Sequence, residues 1–134
     1  LKHPKYQYLI FAIIKNKKIN SICILRMVKK NRIPVLKIVD YIGHEKFFTS
    51  YSFIFYELIK QYSAEYIDFY SHGISEKYIL EAGFINRRKY KNLIVPEYFE
   101  PYVKKNIDLM YGYINKTNKK VKIFKADGDR DRPN

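Results

Sequence analysis

Apolar positions come in three blocks over the first third of the chain, separated by short basic runs. Residues 6–16, YQYLIFAIIKN, are dense in aromatic and branched side chains, as a central strand requires. KNKK then turns the chain, and residues 19–28, INSICILRMV, read as a second strand. KKNR turns it again, and residues 33–43, IPVLKIVDYIG, read as a third, with Pro34 tolerable only near its start. Three strands joined by short polar turns predict an antiparallel meander.

The period then changes. In TSYSFIFYELIKQY, residues 49–62, Tyr51, Phe55, Leu58 and Tyr62 recur on one helical face. Thr49 or Ser50 can cap its start, and aromatics on its other faces predict burial on more than one side. EYIDFY, residues 65–70, reads as a fourth strand, and strand–helix–strand order suggests a parallel crossover. Next comes a helix of about two turns with full punctuation. Ser75 is the N-cap, Ile74 and Ile79 form a hydrophobic staple, Gly83 sits at C′ and Phe84 follows as its apolar clasp. Beyond it the pattern predicts a strand ending before Pro96, a helix from near Pro101 to Gly112, and a last strand at residues 119–126, KKVKIFKA. The fold class is therefore α+β (mixed α/β): one domain over residues 1–126, then a polar tail, DGDRDRPN, over residues 127–134.

Composition narrows the partners. The chain has 134 residues, enough for one real core, and is 47% hydrophobic, which excludes a disordered chain. No uninterrupted apolar stretch is long enough to span a bilayer, and the apolar run near the start lacks a cleavage site. Cys23 is the single cysteine and sits among apolar residues, so a reduced core thiol and a cytoplasmic protein are expected. The net charge of +13 invites a nucleic-acid reading. The basic residues are scattered, however, and no groove-reading helix or base-stacking motif accompanies them. Nucleic acid is not the expected partner.

The order of elements, with ILEAGF closing the second helix, resembles the GNAT acyltransferase superfamily. The likeness covers the part of that fold after its first strand and first helical pair, so the chain is expected to lack that opening. FKADGDRDRPN, VDYIG and FEPY are similar to bacterial GNAT-like proteins associated with surface-polysaccharide pathways. The resemblance implies acyl transfer from acyl-coenzyme A to a small-molecule amine, with an amino sugar as acceptor class. It implies a slot where the third strand splays from the fourth, and a pyrophosphate site at the next helix's N-terminus. The matching segment is YIGHEKFFTS, with Tyr41, Ile42, Gly43, His44 and Lys46 as cofactor-binding candidates. Here the sequence departs from the family: one glycine and two phenylalanines replace a Gly-rich turn. Ile79 also stands where many members carry a tyrosine general acid. The alternative is a non-catalytic binding module of the same fold, recognising a sugar, a protein or a polyanion. The sequence leaves an oligomer possible.

The catalytic candidates are Asp68 and His72 at the exit of the fourth strand, and Asp40 near the end of the third. Transfer to an amine needs a base, which a carboxylate or imidazole supplies. Each has a plainer reading: Asp68 as a solvated or loop-capping carboxylate, His72 as an ordinary loop histidine, and Asp40 as a partner of Lys37. His3 has no assigned role. Asp127, Asp129 and Asp131 alternate as in a calcium loop, but arginines intervene and the closing glutamate is missing, so no metal is expected.

Overall fold

A computed structural model describes residues 7–30, 32–96 and 103–128. The expected meander is present: β1 (Gln7–Lys15), β2 (Lys18–Lys30) and β3 (Ile33–Gly43) pair antiparallel in sequence order. Asn16 and Lys17 both take positive φ, 53° and 59°, the requirement of a two-residue type I′ hairpin turn. A 3-10 helix (Glu45–Tyr51) runs directly into α1 (Ser52–Tyr62). The chain returns as β4 (Ile67–Phe69), parallel to β3, which completes a mixed four-strand sheet in the order β1-β2-β3-β4. After β4 the chain enters β5 (Ser71–His72), then α2 (Glu76–Glu81). Far along the sequence, β6 (Ile123–Phe124) pairs antiparallel with β5 as a second, two-strand sheet.

One irregularity shapes the middle of the sheet. Ile24 lies opposite Asp40 and Leu25 opposite Ile38, so Val39 is an extra residue in β3. The bulge inverts the alternation. Leu36 and Ile38 point into the core before it, and Tyr41 points into the core after it. Asp40 is thereby placed on the other face, with Lys37 and Arg26. The core is largely aromatic: Tyr41, Phe48, Tyr51, Phe55, Phe69, Phe84 and Phe124 form a contiguous set of ring contacts. Cys23 is buried within it, and burial pushes its thiol pKa up, which keeps it protonated and unreactive.

The helices follow their sequence signals with three corrections, the first being that Ser75 stands at the N-cap of α2 but its side chain makes no capping bond. Tyr51, Phe55 and Leu58 are buried, but Phe53 and Tyr56 are 72% and 56% exposed, so α1 buries one face and not several. The 3-10 helix starts earlier than Thr49 because His44 caps it. At α2 the C-terminus is a Schellman motif: the Gly83 amide donates to the Leu80 carbonyl and the Phe84 amide to the Ile79 carbonyl. Ile74, Ile79 and Phe84 pack on the core, as the staple and clasp predict.

The later elements differ more. Residues 103–112 contain no helix, and residues 91–96 contain no strand. Asn106 accepts from the Val95 amide at 2.9 Å and donates to the Leu93 carbonyl at 2.7 Å, tying two extended segments side by side. Met110 and Ile114 are about nine-tenths exposed, so no apolar face is available to hold a helix there. The last strand is only two residues long, because Asp127 accepts the Phe124 amide at 2.7 Å and curls the chain into a 3-10 turn (Lys125–Asp127). His3, Pro101 and the tail beyond Gly128, with Asp129 and Asp131, lie outside the described residues.

Candidate functional site

The parallel pairing of β3 with β4 is short. It joins Leu36, Lys37 and Ile38 to Ile67, Asp68 and Phe69, and there it stops. Beyond the Val39 bulge, β3 continues through Asp40, Tyr41, Ile42 and Gly43 with no partner in β4. The two strands are not paired beyond that point.

The gap so formed is filled by residues 121–127. Phe124 and Ile123 pair with Ser71 and His72 on one side. On the other side the Lys122 ammonium donates to the Gly43 carbonyl and lies 5.9 Å from the Tyr41 ring centroid. The Phe124 ring stands 6.4 Å from Tyr41 and 5.9 Å from Phe69, bridging the two parted strands. A Cβ added at Gly73 would collide with the Val121 carbonyl, so the segment presses closely on the chain after β5.

Asp40 sits beside this segment, half-buried. Its Oδ1 accepts from the Tyr41 amide at 2.7 Å, and it makes no ion pair with Lys37. Burial raises its pKa, the Tyr41 amide opposes that, and the nearby Asp127 carboxylate raises it again. Asp40 is thus a better proton acceptor than an ordinary surface carboxylate.

Asp68 is placed differently. It lies directly opposite Lys37 in the parallel register, and the two buried side chains form an ion pair. Its Oδ1 has no hydrogen-bond partner among the described residues. Neither plain reading of Asp68 holds: it is not solvated, and it caps no loop. It neutralises a buried lysine. His72 is part-buried, with its ring 5.4 Å from Tyr111 and 5.8 Å from Tyr113. No hydrogen bond joins it to Asp68. The two candidates at the exit of the fourth strand do not form a working pair.

At the mouth of the gap the cofactor-binding candidates are close-knit. His44 Nδ1 accepts the Lys46 amide at 3.2 Å, and the His44 carbonyl accepts the Phe47 amide at 3.0 Å and the Tyr41 hydroxyl at 2.8 Å. Burial pushes the Tyr41 hydroxyl up to about 12, so it stays a donor. Gly43 adopts φ +130°, and a Cβ there would strike the Asn20 carbonyl and Ser21. Ile42 is exposed, and Lys46 projects over the Phe47 ring at 5.1 Å. Three groups not apparent from sequence join this corner. Glu45 accepts the Ser75 amide at 2.8 Å and pairs with Lys120 at 3.1 Å, while Lys122 reaches Gly43. The Ser75 amide, against the opposing effect of burial and with the help of Lys120 and Lys122, holds the Glu45 carboxyl below its ordinary range. These partners are 30 to 79 residues apart in sequence, and no local signal marks them.

Among the described residues no group of three or more His, Cys, Asp or Glu side chains is placed to hold a metal ion. None of their helices is long and apolar enough to cross a membrane. No family model, curated protein or solved structure matches the chain.

Proposed function

We propose that this chain is a GNAT-like acyltransferase domain that transfers an acyl group from acyl-coenzyme A to an amine. An amino sugar of surface-polysaccharide biosynthesis is the acceptor class that the resemblance favours. The observation that carries the reading is the parting of β3 from β4 beyond the Val39 bulge, which leaves the β3 edge from Asp40 to Gly43 without a β4 partner. A strand edge of that kind hydrogen-bonds an extended amide-bearing arm as another strand would. Lys46, Lys120 and Lys122 gather where such an arm would end and supply positive charge for a diphosphate. The donor contributes an activated acyl carbonyl. The protein's part is to hold the acceptor beside the slot, where Asp40, made more basic by burial and by Asp127, takes the amine's proton. Asp68 then serves the sheet by neutralising Lys37, and His72 with Tyr111 and Tyr113 offers an aromatic surface against which a sugar ring can stack.

The second reading, a binding module without donor chemistry, is supported by the amides of Lys46 and Phe47. Both turn back on His44 instead of converging on an open point. Thiol release from acetyl-coenzyme A, measured against a panel of amino sugars, separates the two. The transferase reading expects amine-dependent release that Asp40→Asn lowers by about two orders of magnitude, the usual contribution of a general base. No release with any amine, from a chain that binds the donor, would leave the binding module.

A further inference from the structure

We propose that the sheet face turned away from the core, at the end nearest the β1–β2 turn, docks on an anionic membrane surface. This is independent of the transfer chemistry. Leu9, Phe11 and Ile13 pack on the aromatic core, so the alternate residues of β1, Ile10, Ala12 and Ile14, lie on the opposite face. Their cross-strand partners share that face: Ile24 beside Ile10, Ile22 beside Ala12 and Ile19 beside Ile14. Ile42 of β3 lies opposite Ile22 and extends the middle row. Ile19 joins the set because Asn20 is an extra residue in β2, between the pairs Ile14–Ile19 and Ile13–Ser21. Ile10, Ile14, Ile19 and Ile42 are 51%, 66%, 63% and 55% exposed. Branched apolar side chains held in water across three strands mark an interaction surface.

The rim of this face decides what covers it. Lys15, Lys17 and Lys18 stand at the β1–β2 turn, next to Ile14 and Ile19, and all three are exposed. None of them forms an ion pair among the described residues. No Asp or Glu precedes Asp40 in the chain. Asp40 itself is half-buried on the Tyr41 amide, and Glu45 is taken by Lys120 and the Ser75 amide. A second copy would bring a rim of the same sign against this one. Nucleic acid would use the lysines but leave the isoleucines in water, and this face offers no aromatic ring on which a base could stack. A lipid surface with anionic headgroups takes both parts: the lysines meet the headgroups, and the isoleucines enter the acyl boundary.

The test is flotation of the full chain with vesicles of phosphatidylcholine alone, or of phosphatidylcholine mixed with phosphatidylglycerol, at low and high salt. Two variants accompany it, Lys17→Gln/Lys18→Gln and Ile14→Thr/Ile19→Thr. All four positions are exposed, and threonine keeps the strand propensity. The expected result is flotation with the anionic vesicles only, weakened by salt. A lysine near such a surface is worth roughly a fivefold gain in partitioning, so the glutamine pair should lower binding by about 25-fold. The threonine pair should lower it by about tenfold, through lost apolar contact. No flotation of the folded chain with either vesicle would overturn the proposal. So would flotation that the glutamine pair weakens and the threonine pair leaves unchanged, because the net charge alone would then account for it. A dimer in solution that the threonine pair dissociates would give the face to a second copy. Tighter binding to a mixed-sequence oligonucleotide than to the vesicles, unaffected by the threonine pair, would give the lysines to nucleic acid. Either result overturns the membrane. If a variant fails to fold, hydrogen exchange in the wild-type chain decides the matter: slower exchange over residues 14–19 on anionic vesicles supports the surface, and unchanged exchange refutes it.

Discussion

Replacing Lys37 by Met tests the assignment of Asp68 to structure. Lys37 is fully buried and Asp68 is 6% exposed, so their attraction acts in a medium with little water to screen it. Met keeps most of the lysine stem's volume and removes the ammonium. Asp68 then loses the partner of its Oδ2, while its Oδ1 already lacks one. Breaking a buried pair from one side costs about 3–5 kcal/mol, because a desolvated charge is left behind. For a chain of this length that is a fall in Tm of roughly 11–18 °C. The double variant Lys37→Met/Asp68→Leu removes both charges and should recover to within about 1 kcal/mol of wild type, or exceed it. Urea unfolding at pH 7 reads both values. The reasoning fails if Lys37→Met costs less than about 1 kcal/mol, or if the double variant is as unstable as the single one. In the second case the carboxylate would be needed for something other than neutralising Lys37, and its candidacy as a base would reopen.

Two further outcomes follow from backbone and charge. Gly43→Ala should cost about 2 kcal/mol or more in urea unfolding, since φ is +130° and the new methyl meets the Asn20 carbonyl and Ser21; a loss below about 0.5 kcal/mol would refute that geometry. Asp40 carries a pKa raised in the folded state, so ionising it weakens the fold as pH rises from the unfolded carboxylate value, about 4, through the folded one. Asp40→Asn keeps the acceptor for the Tyr41 amide and should therefore raise the urea midpoint at pH 7 while leaving it nearly unchanged at pH 3. Equal effects at the two pH values would show that the carboxylate's charge is not what matters.

What was legible in the sequence was local. The strand over residues 33–43 has the expected ends because Gly43 and the basic turn before Ile33 are punctuation that the chain itself carries. The α2 helix was equally plain, since Ile74, Ile79, Gly83 and Phe84 act within ten residues of one another. The expected helix from near Pro101 to Gly112 has the right residue types but no face to bury. Asn106 instead spends its side chain on the backbone at Leu93 and Val95. Lys37 looked like a partner for Asp40, three residues on. The parallel register gives it to Asp68, 31 residues on, and a register is a property of two strands together.

The Val39 bulge links these outcomes. A regular β3 would place Asp40 on the core side and turn Tyr41 away from it. The one extra residue puts Tyr41 among the rings of Phe48, Tyr51 and Phe124, and turns Asp40 to the face that carries Lys37. The parallel pairing also ends at Ile38, directly before the bulge, so the gap opens where Asp40 is presented. A bulge bends its strand and increases the local twist, which is a sufficient cause for β3 to leave β4 there. The end of the β3–β4 pairing, the half-buried Asp40 and the seat taken by Phe124 then have one origin. A Val39 deletion that restored regular alternation should remove all three together.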